Sequence, residues 1–372
     1  MSRFFTSLNG ACAVAVVAAA TLLVPGAIAA QAQTAAAKKP AGANGAGAAA
    51  ASKKYVPKRL AWGDPDISGN FTTKDEANTP FERPDQFAGK RIEDITPAEL
   101  EAANAERRRR ALAAAPYPGG GDPARGVAIA VPIHWFDSLD TVNSRPWFVM
   151  DPPDGKVPPQ NDEARKRQQD QAAYRATRGT ADSFTDRSTG DRCIAFGVPA
   201  ARPIAGLYGN SEQIIQTKDY VAIRYEMVHE TRIIPIDGRS GARPHASKVL
   251  SSYFGDSTAH WEGDTLVVDT TNFNGKLPFR GSGPALHTVE RFTRVAPNKI
   301  DWRATIEDPG TWTRPWTFAI LWTEDDTQPI FEYACHEGNY GLRNILSAGR
   351  SDDKKGIKSS NTAATQGDLF EE

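Results

Sequence analysis

The segment that most restricts the fold is HWEGDTLVVDTTNF, residues 260–273, in which a short polar turn precedes a run of β-forming residues. The triplet Glu262-Gly263-Asp264 is typical of a tight turn, and the threonines and valines after it favour a strand. The segment therefore predicts a hairpin. In that hairpin Glu262 and Asp264 are turn residues rather than a catalytic carboxylate pair.

Two later segments, LHTVERFTRV and KIDWRATIEDPGTWTRPWTFAILWTE, continue the β-forming pattern. Side chains of a strand alternate between its two faces, so the last two strands each present one apolar face. These faces are formed by Ile300, Trp302, Ala304 and Ile306 and by Trp316, Phe318, Ile320 and Trp322. Consecutive strands without intervening helices predict a mainly β domain, either an antiparallel barrel or a strongly curved sheet, with a few peripheral helices.

The segment SEQIIQTKDYVAIRYEMVHETRIIPID opens the predicted β region and indicates two strands around Lys218 and Asp219. Alternation along the second strand separates an apolar face from a charged one. The apolar face would hold Val221, Ile223, Tyr225, Met227 and His229, and the charged face Arg224, Glu226, Glu230 and Arg232. His229 is therefore expected to point into the interior of the barrel.

The N-terminus has the features of an export signal, because Arg3 precedes a mostly apolar stretch that ends in small-residue cleavage motifs. We expect residues 1–30 to be a signal peptide and residues 31–60 a disordered linker rich in Ala, Gly and Lys. Residues 61–350 are expected to form one mainly β domain with a helical excursion at about 96–115, and residues 351–372 a flexible tail. The mature chain would be periplasmic or secreted, without an integral membrane segment.

Removal of the signal leaves two cysteines, Cys193 and Cys335. In an oxidising compartment an even pair favours a disulfide over two free thiols. The chain carries 44 basic and 45 acidic residues, a net charge of -1, which gives no general attraction to nucleic acid or to an anionic membrane. A small-molecule ligand is one class of partner that this charge balance allows.

The motifs HETRIIPIDGR, WEGDTLVVDTTNFN, LHTVERFTRV, DPGTWTRPW and YACHEGNYGLRN together resemble a large family of uncharacterised secreted bacterial proteins. PFERP, DPPDGKVPP and DRC extend the resemblance, so that it covers about residues 66–344. It implies export and one cysteine in each of the DRC and ACHEGN motifs, here Cys193 and Cys335, but no activity for any position. The strand succession is also similar to lipocalin-like barrels, a likeness of fold alone.

Four residues are first candidates for acid-base chemistry. A single imidazole on an apolar face, as expected for His229, either acts as a general base or is a buried histidine satisfied by its neighbours. His260 lies beside the predicted hairpin. His336 and Glu337 follow a bridging cysteine, so they would be held in place either as a structural clamp or for catalysis.

Asp308 is the fifth candidate, because it continues the apolar face of its strand and meets Trp316 across the DPGTWTRP connection, beside Arg314. Such a rim could bind an oxygenated or aromatic ligand, although the same residues also suit a turn and an ordinary core. The expected pocket lining is Tyr225, Met227, Trp302, Arg314, Trp316 and Trp322.

The leading functional hypothesis is an exported protein that binds a small aromatic or oxygenated molecule in a barrel pocket, with lyase-like or isomerase-like acid-base chemistry as an extension. One alternative is a non-catalytic envelope protein whose charged strand faces dock a partner. A second is a metal-dependent hydrolase, for which His229, His260, His287 or His336 would have to converge. His287 and Glu290 stand at odd separation and should face opposite sides of a strand. We predict no cofactor and no metal site.

Overall fold

The computed structural model describes residues 55–114, 141–200, 202–206, 208–237, 244–328 and 330–357. The predicted signal peptide, residues 31–54 of the predicted linker, residues 358–372 and His134 lie outside these ranges. The fold below belongs to the unit Lys53–Glu372.

The described residues form a ten-stranded sheet whose ladders are all antiparallel. Its strands are β1 Gly69–Thr72, β2 Val149–Asp151, β3 Ser211–Gln216, β4 Tyr220–Tyr225, β5 Thr231–Pro235, β6 Asp256–Glu262, β7 Thr265–Thr271, β8 His287–Ala296, β9 Lys299–Glu307 and β10 Trp316–Glu324. The spatial order is β5-β4-β3-β1-β10-β9-β8-β7-β6, and β2 pairs with β10 off this path. The expectation of a mainly β, antiparallel fold is confirmed.

The sheet curls without closing into a barrel. Its two edge strands, β5 and β6, approach each other and share one isolated parallel bridge between Ile236 and Ala259 among the described residues. Next to this bridge the amide of Asp237 donates to the carbonyl of Ala259 at 2.5 Å. We call the line along which β5 meets β6 the seam. A strongly curved sheet is thus consistent with the structure, whereas a closed lipocalin-like barrel is not what the strand pairing gives.

Three α-helices accompany the sheet in the described residues: α1 Pro97–Ala114, α2 Asp162–Ala176 and α3 Gly341–Lys354. Thr96 caps α1 by accepting from the Glu99 amide at 3.3 Å, while the Glu99 carboxylate accepts from the Thr96 amide at 3.0 Å. Helix α3 continues four residues into the stretch expected to be a tail. In the part of the chain that the structure describes, no helix has the length and apolar character to cross a bilayer.

The hairpin predicted from Glu262-Gly263-Asp264 is present. Strands β6 and β7 pair in register from Asp256 with Thr271 to Glu262 with Thr265, and Gly263 has a φ of 60° in the turn. A left-handed backbone costs glycine little, which explains why this local sequence turns here. The hairpin forms the β6 edge of the sheet and so one side of the seam.

The expected two strands after Ser211 are three, and the difference overturns part of the predicted face pattern. Strand β4 ends at Tyr225, and Val228 and His229 turn the chain with φ values of 53° and 47°. Met227 and His229 therefore lie in a turn, not on an interior strand face, and His229 is exposed. The turn changes which residues of β5 face the interior. Arg232 is therefore buried and does not belong to a charged outer face.

Aromatic side chains fill the space inside the curled sheet. Trp302 lies 5.6 Å from Trp322 and 5.5 Å from Phe318 between ring centroids, and Trp316 stacks on Phe279 at 5.9 Å. All three tryptophans are at most 1% exposed. These side chains form a packed hydrophobic core, which stabilises the sheet by removing large apolar surfaces from water.

Cys193 and Cys335 form a disulfide with a Cα–Cα distance of 5.9 Å, as predicted. The bridge joins the segment before β3 to the segment after β10 and closes a loop with a sequence separation of 142. A covalent link over so long a loop restricts the unfolded chain and stabilises the fold by about 2–5 kcal/mol.

Candidate functional site

A cleft opens along the seam where β5 and β6 diverge from their bridge at Ile236 and Ala259. Its volume is about 300 Å³. The β5 side contributes residues 230 and 232–235, and the β6 side contributes residues 252 and 254–257. We call this space the seam cleft. It is the place where charged side chains from both edges of the sheet meet.

Arg232 and Glu290 form a buried ion pair behind the seam cleft. Two guanidinium nitrogens, Nη1 and Nη2, donate to the two carboxylate oxygens at 3.1 and 2.6 Å, and the side chains are 4% and 0% exposed. The Trp302 indole donates to the same carboxylate at 3.2 Å. Burial alone would lower the pKa of Arg232, but the attraction of Glu290 raises it above the usual value. Arg232 is thus a fixed cation.

The guanidinium also contacts the polar groups around Glu290. Nη2 donates to Ser257 Oγ at 3.2 Å and to Thr270 Oγ1 at 3.4 Å. The Tyr225 hydroxyl is a further buried hydrogen-bond partner of Arg232. Buried polar groups are normally satisfied in this way, and these contacts fix the position of the guanidinium.

Glu230 brings a carboxyl group with a perturbed pKa to the seam cleft. The turn at Val228 and His229 places Glu230 directly before β5, where it is partly buried. Burial raises the pKa of Glu230, and its hydrogen bond from the Thr231 amide and the charge of Arg232 only partly oppose this. A carboxyl group shifted toward neutral pH in a cleft has the property required of a general acid or base.

A chain of acids and imidazoles covers the outer face of the same strands. Asp269 contacts His245 Nε2 at 2.8 Å and His287 Nε2 at 2.9 Å, through different carboxylate oxygens. His287 Nδ1 also contacts Glu307 Oε2 at 3.1 Å. At the other end, Asp256 Oδ2 lies 3.4 Å from His245 Nδ1. We call these five residues the outer chain, and Asp256 belongs both to it and to the seam cleft.

The outer chain shifts the pKa of two of its members, His287 and Asp269. The hydrogen bond with Asp269 raises the pKa of His287 to about 9, so this imidazole is cationic at neutral pH. The same hydrogen bond lowers the pKa of Asp269. Strand alternation separates the two networks, since His287 lies on the outer face of β8 and Glu290 on the inner face. The expected opposition of His287 and Glu290 is confirmed.

Asp308 does not form a ligand-binding rim with Arg314. Its carboxylate is 3% exposed and accepts hydrogen bonds from the Gly283 amide at 2.6 Å, the Gly310 amide at 3.0 Å and the Thr311 hydroxyl at 2.7 Å. Arg314 points away to an exposed ion pair with Asp151 at 2.8 Å. Asp308 therefore stabilises the turn after β9.

The aromatic residues expected to line a pocket are core residues instead. Trp302, Trp316 and Trp322 are packed among other rings, and Met227 is 1% exposed beside Gly209. Neither the seam cleft nor a smaller cavity of about 160 Å³ beside Trp147 is lined by any of the six predicted ligand residues. Of those six, Tyr225 lies closest to the new site, through its contact with Arg232.

The predicted histidines are distributed over the surface. His229 Nδ1 contacts the Tyr333 carbonyl at 2.9 Å, and its ring lies 6.4 Å from that of His336. His336 and Glu337 are exposed beside the disulfide. His260 contacts Glu262 at 3.1 Å on the outer face of β6. The structure thus brings His229 and His336 together, but leaves His260 and Asp308 elsewhere.

Within the described ranges, no group of three or more His, Cys, Asp or Glu side chains is arranged to hold a metal ion. The sequence did not predict the ion pair of Arg232 and Glu290 for two reasons. The two residues are distant in the chain, and the unexpected turn after β4 places Arg232 on the buried face of β5. His245 lies in a segment without a strand pattern, so only its residue type could have drawn attention to it.

No protein-family model, curated protein or solved structure matches this chain. The resemblance of its motifs to a family of secreted bacterial proteins therefore stays a prediction.

Proposed function

We propose that the protein works outside the cytoplasm and binds a small oxygenated molecule in the seam cleft, where Glu230 performs acid-base chemistry on it. Arg232 serves as the fixed cation of the site. This reaction type is that of a lyase or isomerase, in which a proton moves to or from a carbon or oxygen atom of the substrate.

The observation that carries this proposal is that Glu230, whose pKa burial raises, and the cationic Arg232 line the same cleft. Because Glu290 holds both Nη atoms of the guanidinium, Arg232 keeps a fixed position and loses little side-chain entropy when a ligand binds. A cation held in this way stabilises negative charge that develops on a substrate oxygen. A carboxyl group with a raised pKa beside it supplies the proton transfer.

Two further features support a binding site at the seam. The volume of about 300 Å³ lies at the lower end of the range for small-molecule sites. The disulfide between Cys193 and Cys335 supports an oxidising compartment, and so the export that the N-terminal sequence predicts.

A specific observation favours one other role, that of an interaction protein. Ile215, Ala222 and Ile233 are cross-strand neighbours on the outer face of β3, β4 and β5, and the two isoleucines are 47% and 68% exposed. An apolar strip of this kind on a sheet surface suits a protein partner. This second role would leave the seam cleft without a ligand.

The test is ligand capture. The purified exported chain is incubated with a metabolite extract and washed, and the retained small molecules are identified by mass spectrometry. We expect Glu230→Gln to reduce conversion of the retained compound by about 100-fold or more, because the substitution removes the proton-transfer group. Glu337→Gln, which changes an exposed carboxylate outside the cleft, is the matched control. Absence of any retained compound, or equal conversion by both variants, would reject the proposal.

A further inference from the structure

We infer that the disulfide between Cys193 and Cys335 controls the position of Glu230, so that reduction of the bridge by a dithiol lowers the acid-base activity of the seam cleft. This inference rests on the proposed function and names its regulation. The element that connects the bridge to Glu230 is the C-terminal segment of residues 331–357, which we call the strap.

The disulfide is the covalent attachment of a strap that is otherwise held lightly. None of residues 331–357, all of which lie in the described part of the chain, is buried. Tyr333 is partly buried against the core and hydrogen-bonds with Tyr208, and α3 approaches Ala181 at Gly349. Because little apolar surface leaves water along the strap, few contacts hold it in place once the bridge is broken.

The strap contacts the turn that precedes Glu230. His229 Nδ1 lies 2.9 Å from the Tyr333 carbonyl oxygen. A carbonyl oxygen can only accept a hydrogen bond, so Nδ1 carries a proton and donates to it. The His229 ring also meets the ring of His336 edge-on, at 6.4 Å between centroids. Tyr333 and His336 stand on either side of Cys335 in the chain, so the bridge positions both contacts.

The turn has a conformation that this support helps to maintain. Val228 and His229 have φ values of 53° and 47°, in the left-handed region, which is least favourable for a β-branched residue such as valine. Backbone hydrogen bonds from Tyr225 to Glu230 and from His229 to Glu226 close the turn. When the strap leaves, the side-chain contact of His229 is lost and the strained turn relaxes. Glu230 directly follows the turn and moves with it.

Reduction converts the bridge into two thiols. A thiolate of the dithiol attacks one sulfur atom of the bridge and forms a mixed disulfide, which the second thiol of the reductant then resolves. The S–S bond of the protein breaks, an S–S bond forms in the reductant, and two electrons and two protons pass to the cysteines. Both cysteines are half-buried, and Ala334 and His336 beside Cys335 are exposed, so the bridge is accessible from solvent.

Hydrogen–deuterium exchange of the full exported chain tests the coupling, with dithiothreitol as the reductant. We expect reduction to speed amide exchange about ten-fold or more in the strap and in the turn, residues 226–230, while β9, inside the sheet, exchanges as before. Reoxidation should restore slow exchange. The double variant Cys193→Ser, Cys335→Ser should exchange like the reduced protein and should not respond to dithiothreitol.

His229→Ala isolates the contact between the strap and the turn. In the oxidised protein it should speed exchange in residues 226–230 while the strap stays slow, and reduction should then change the turn little further. His260→Ala, at an exposed histidine on β6 that contacts Glu262, is the matched control and should leave both segments unchanged. Faster exchange in the strap alone, or in the strap and β9 together, would overturn the inference, because the bridge would then hold only the strap or the whole fold.

Conversion of the captured compound separates this inference from the proposed function. The reduced protein should convert it about ten-fold or more slowly than the oxidised protein, because a small displacement of a reacting group costs much of its effect. Equal conversion by both forms would reject the regulation and leave the proposed function in place. If reduction frees the turn but no compound is captured, the proposed function fails, while control of the Glu230 turn by the bridge is supported.

Discussion

At the scale of single residues, the stability that the outer chain contributes to the fold depends on pH. The folded pKa of His287 is about 9, against an ordinary value of 6.5. When the pKa of a basic group is higher in the folded than in the unfolded state, the group stabilises the fold. Its stabilisation is complete below the unfolded-state pKa and is lost as the pH rises through the folded-state pKa. We expect His287→Gln to lower the free energy of unfolding by about 1 kcal/mol at pH 6, after screening of this partly exposed group, and by little at pH 10. Urea unfolding across this range measures the difference.

Asp269→Asn is the control for this prediction, because it removes the main cause of the raised His287 pKa while keeping a side chain of the same shape. In that background the effect of His287→Gln should fade at a lower pH than in the wild-type protein. An unchanged pH dependence would mean that Asp269 does not hold the charge on His287.

The buried pair of Arg232 and Glu290 leads to a second prediction at this scale. Glu290→Gln leaves a guanidinium buried without a counter-charge, and we expect it to lower the free energy of unfolding by about 3–5 kcal/mol. Arg232→Met combined with Glu290→Leu should recover most of this loss, since apolar residues of similar volume often replace a buried ion pair without cost. Guanidinium chloride unfolding of Arg232→Met, Glu290→Leu and the double variant gives the coupling energy.

Ligand capture by the same double variant separates stability from binding. It should fold and yet retain no ligand, because the cation in the lining of the seam cleft is gone. Capture of the same compound at the wild-type level would show that the guanidinium does not bind the ligand.

Residue type alone could not identify these groups. Asp308 continues the apolar face of its strand in the sequence pattern, yet its carboxylate accepts from two donors in its own turn and from the Gly283 amide. His229 was assigned to an interior face because alternation was continued through a turn that no proline or glycine marks. Conversely, Arg232 looked like a surface residue, since only its contact with Glu290 makes its burial favourable.

At the scale of elements, the turn of the β6–β7 hairpin offers a clean test of backbone conformation. A Cβ atom added at Gly263 would meet no atom within 4 Å, so a substitution there acts through its φ of 60° alone. We expect Gly263→Ala to lower the free energy of unfolding by about 1 kcal/mol, and Gly263→Asn by less, because asparagine adopts the left-handed region more readily. Thermal unfolding followed by circular dichroism compares the two. Equal losses would indicate a cause other than φ.

This hairpin was predictable because every signal lies within a few residues: a turn, a run of β-formers and a regular alternation. The same holds for the start of α1, where Thr96 and Glu99 cap each other. The central position of β1 was not predictable, since its neighbours β3 and β10 lie about 140 and 250 residues further along the chain. Local sequence patterns thus predicted the hairpin, the start of α1 and the faces of the last two strands, while the order of strands depends on contacts distant in the chain.

At the scale of the whole molecule, the seam decides whether the curled sheet holds a cleft. Ala259 is 1% exposed and lies opposite Ile236 at the bridge between the edge strands. We expect Ala259→Leu to force β5 and β6 apart, to lower the free energy of unfolding by about 1–3 kcal/mol and to abolish ligand capture. Ala319→Leu, at a fully buried position on β10, overpacks the fold far from the seam.

The comparison of these two variants separates seam geometry from general stability. Both should unfold at lower denaturant concentration, because each adds three carbon atoms where the packing leaves no room. At temperatures where both remain folded, Ala319→Leu should still capture the ligand, since the spacing between Arg232 on one edge and Asp256 on the other is unchanged. If Ala259→Leu captures it equally well, the binding site lies away from the seam, and the polar groups there serve the fold alone.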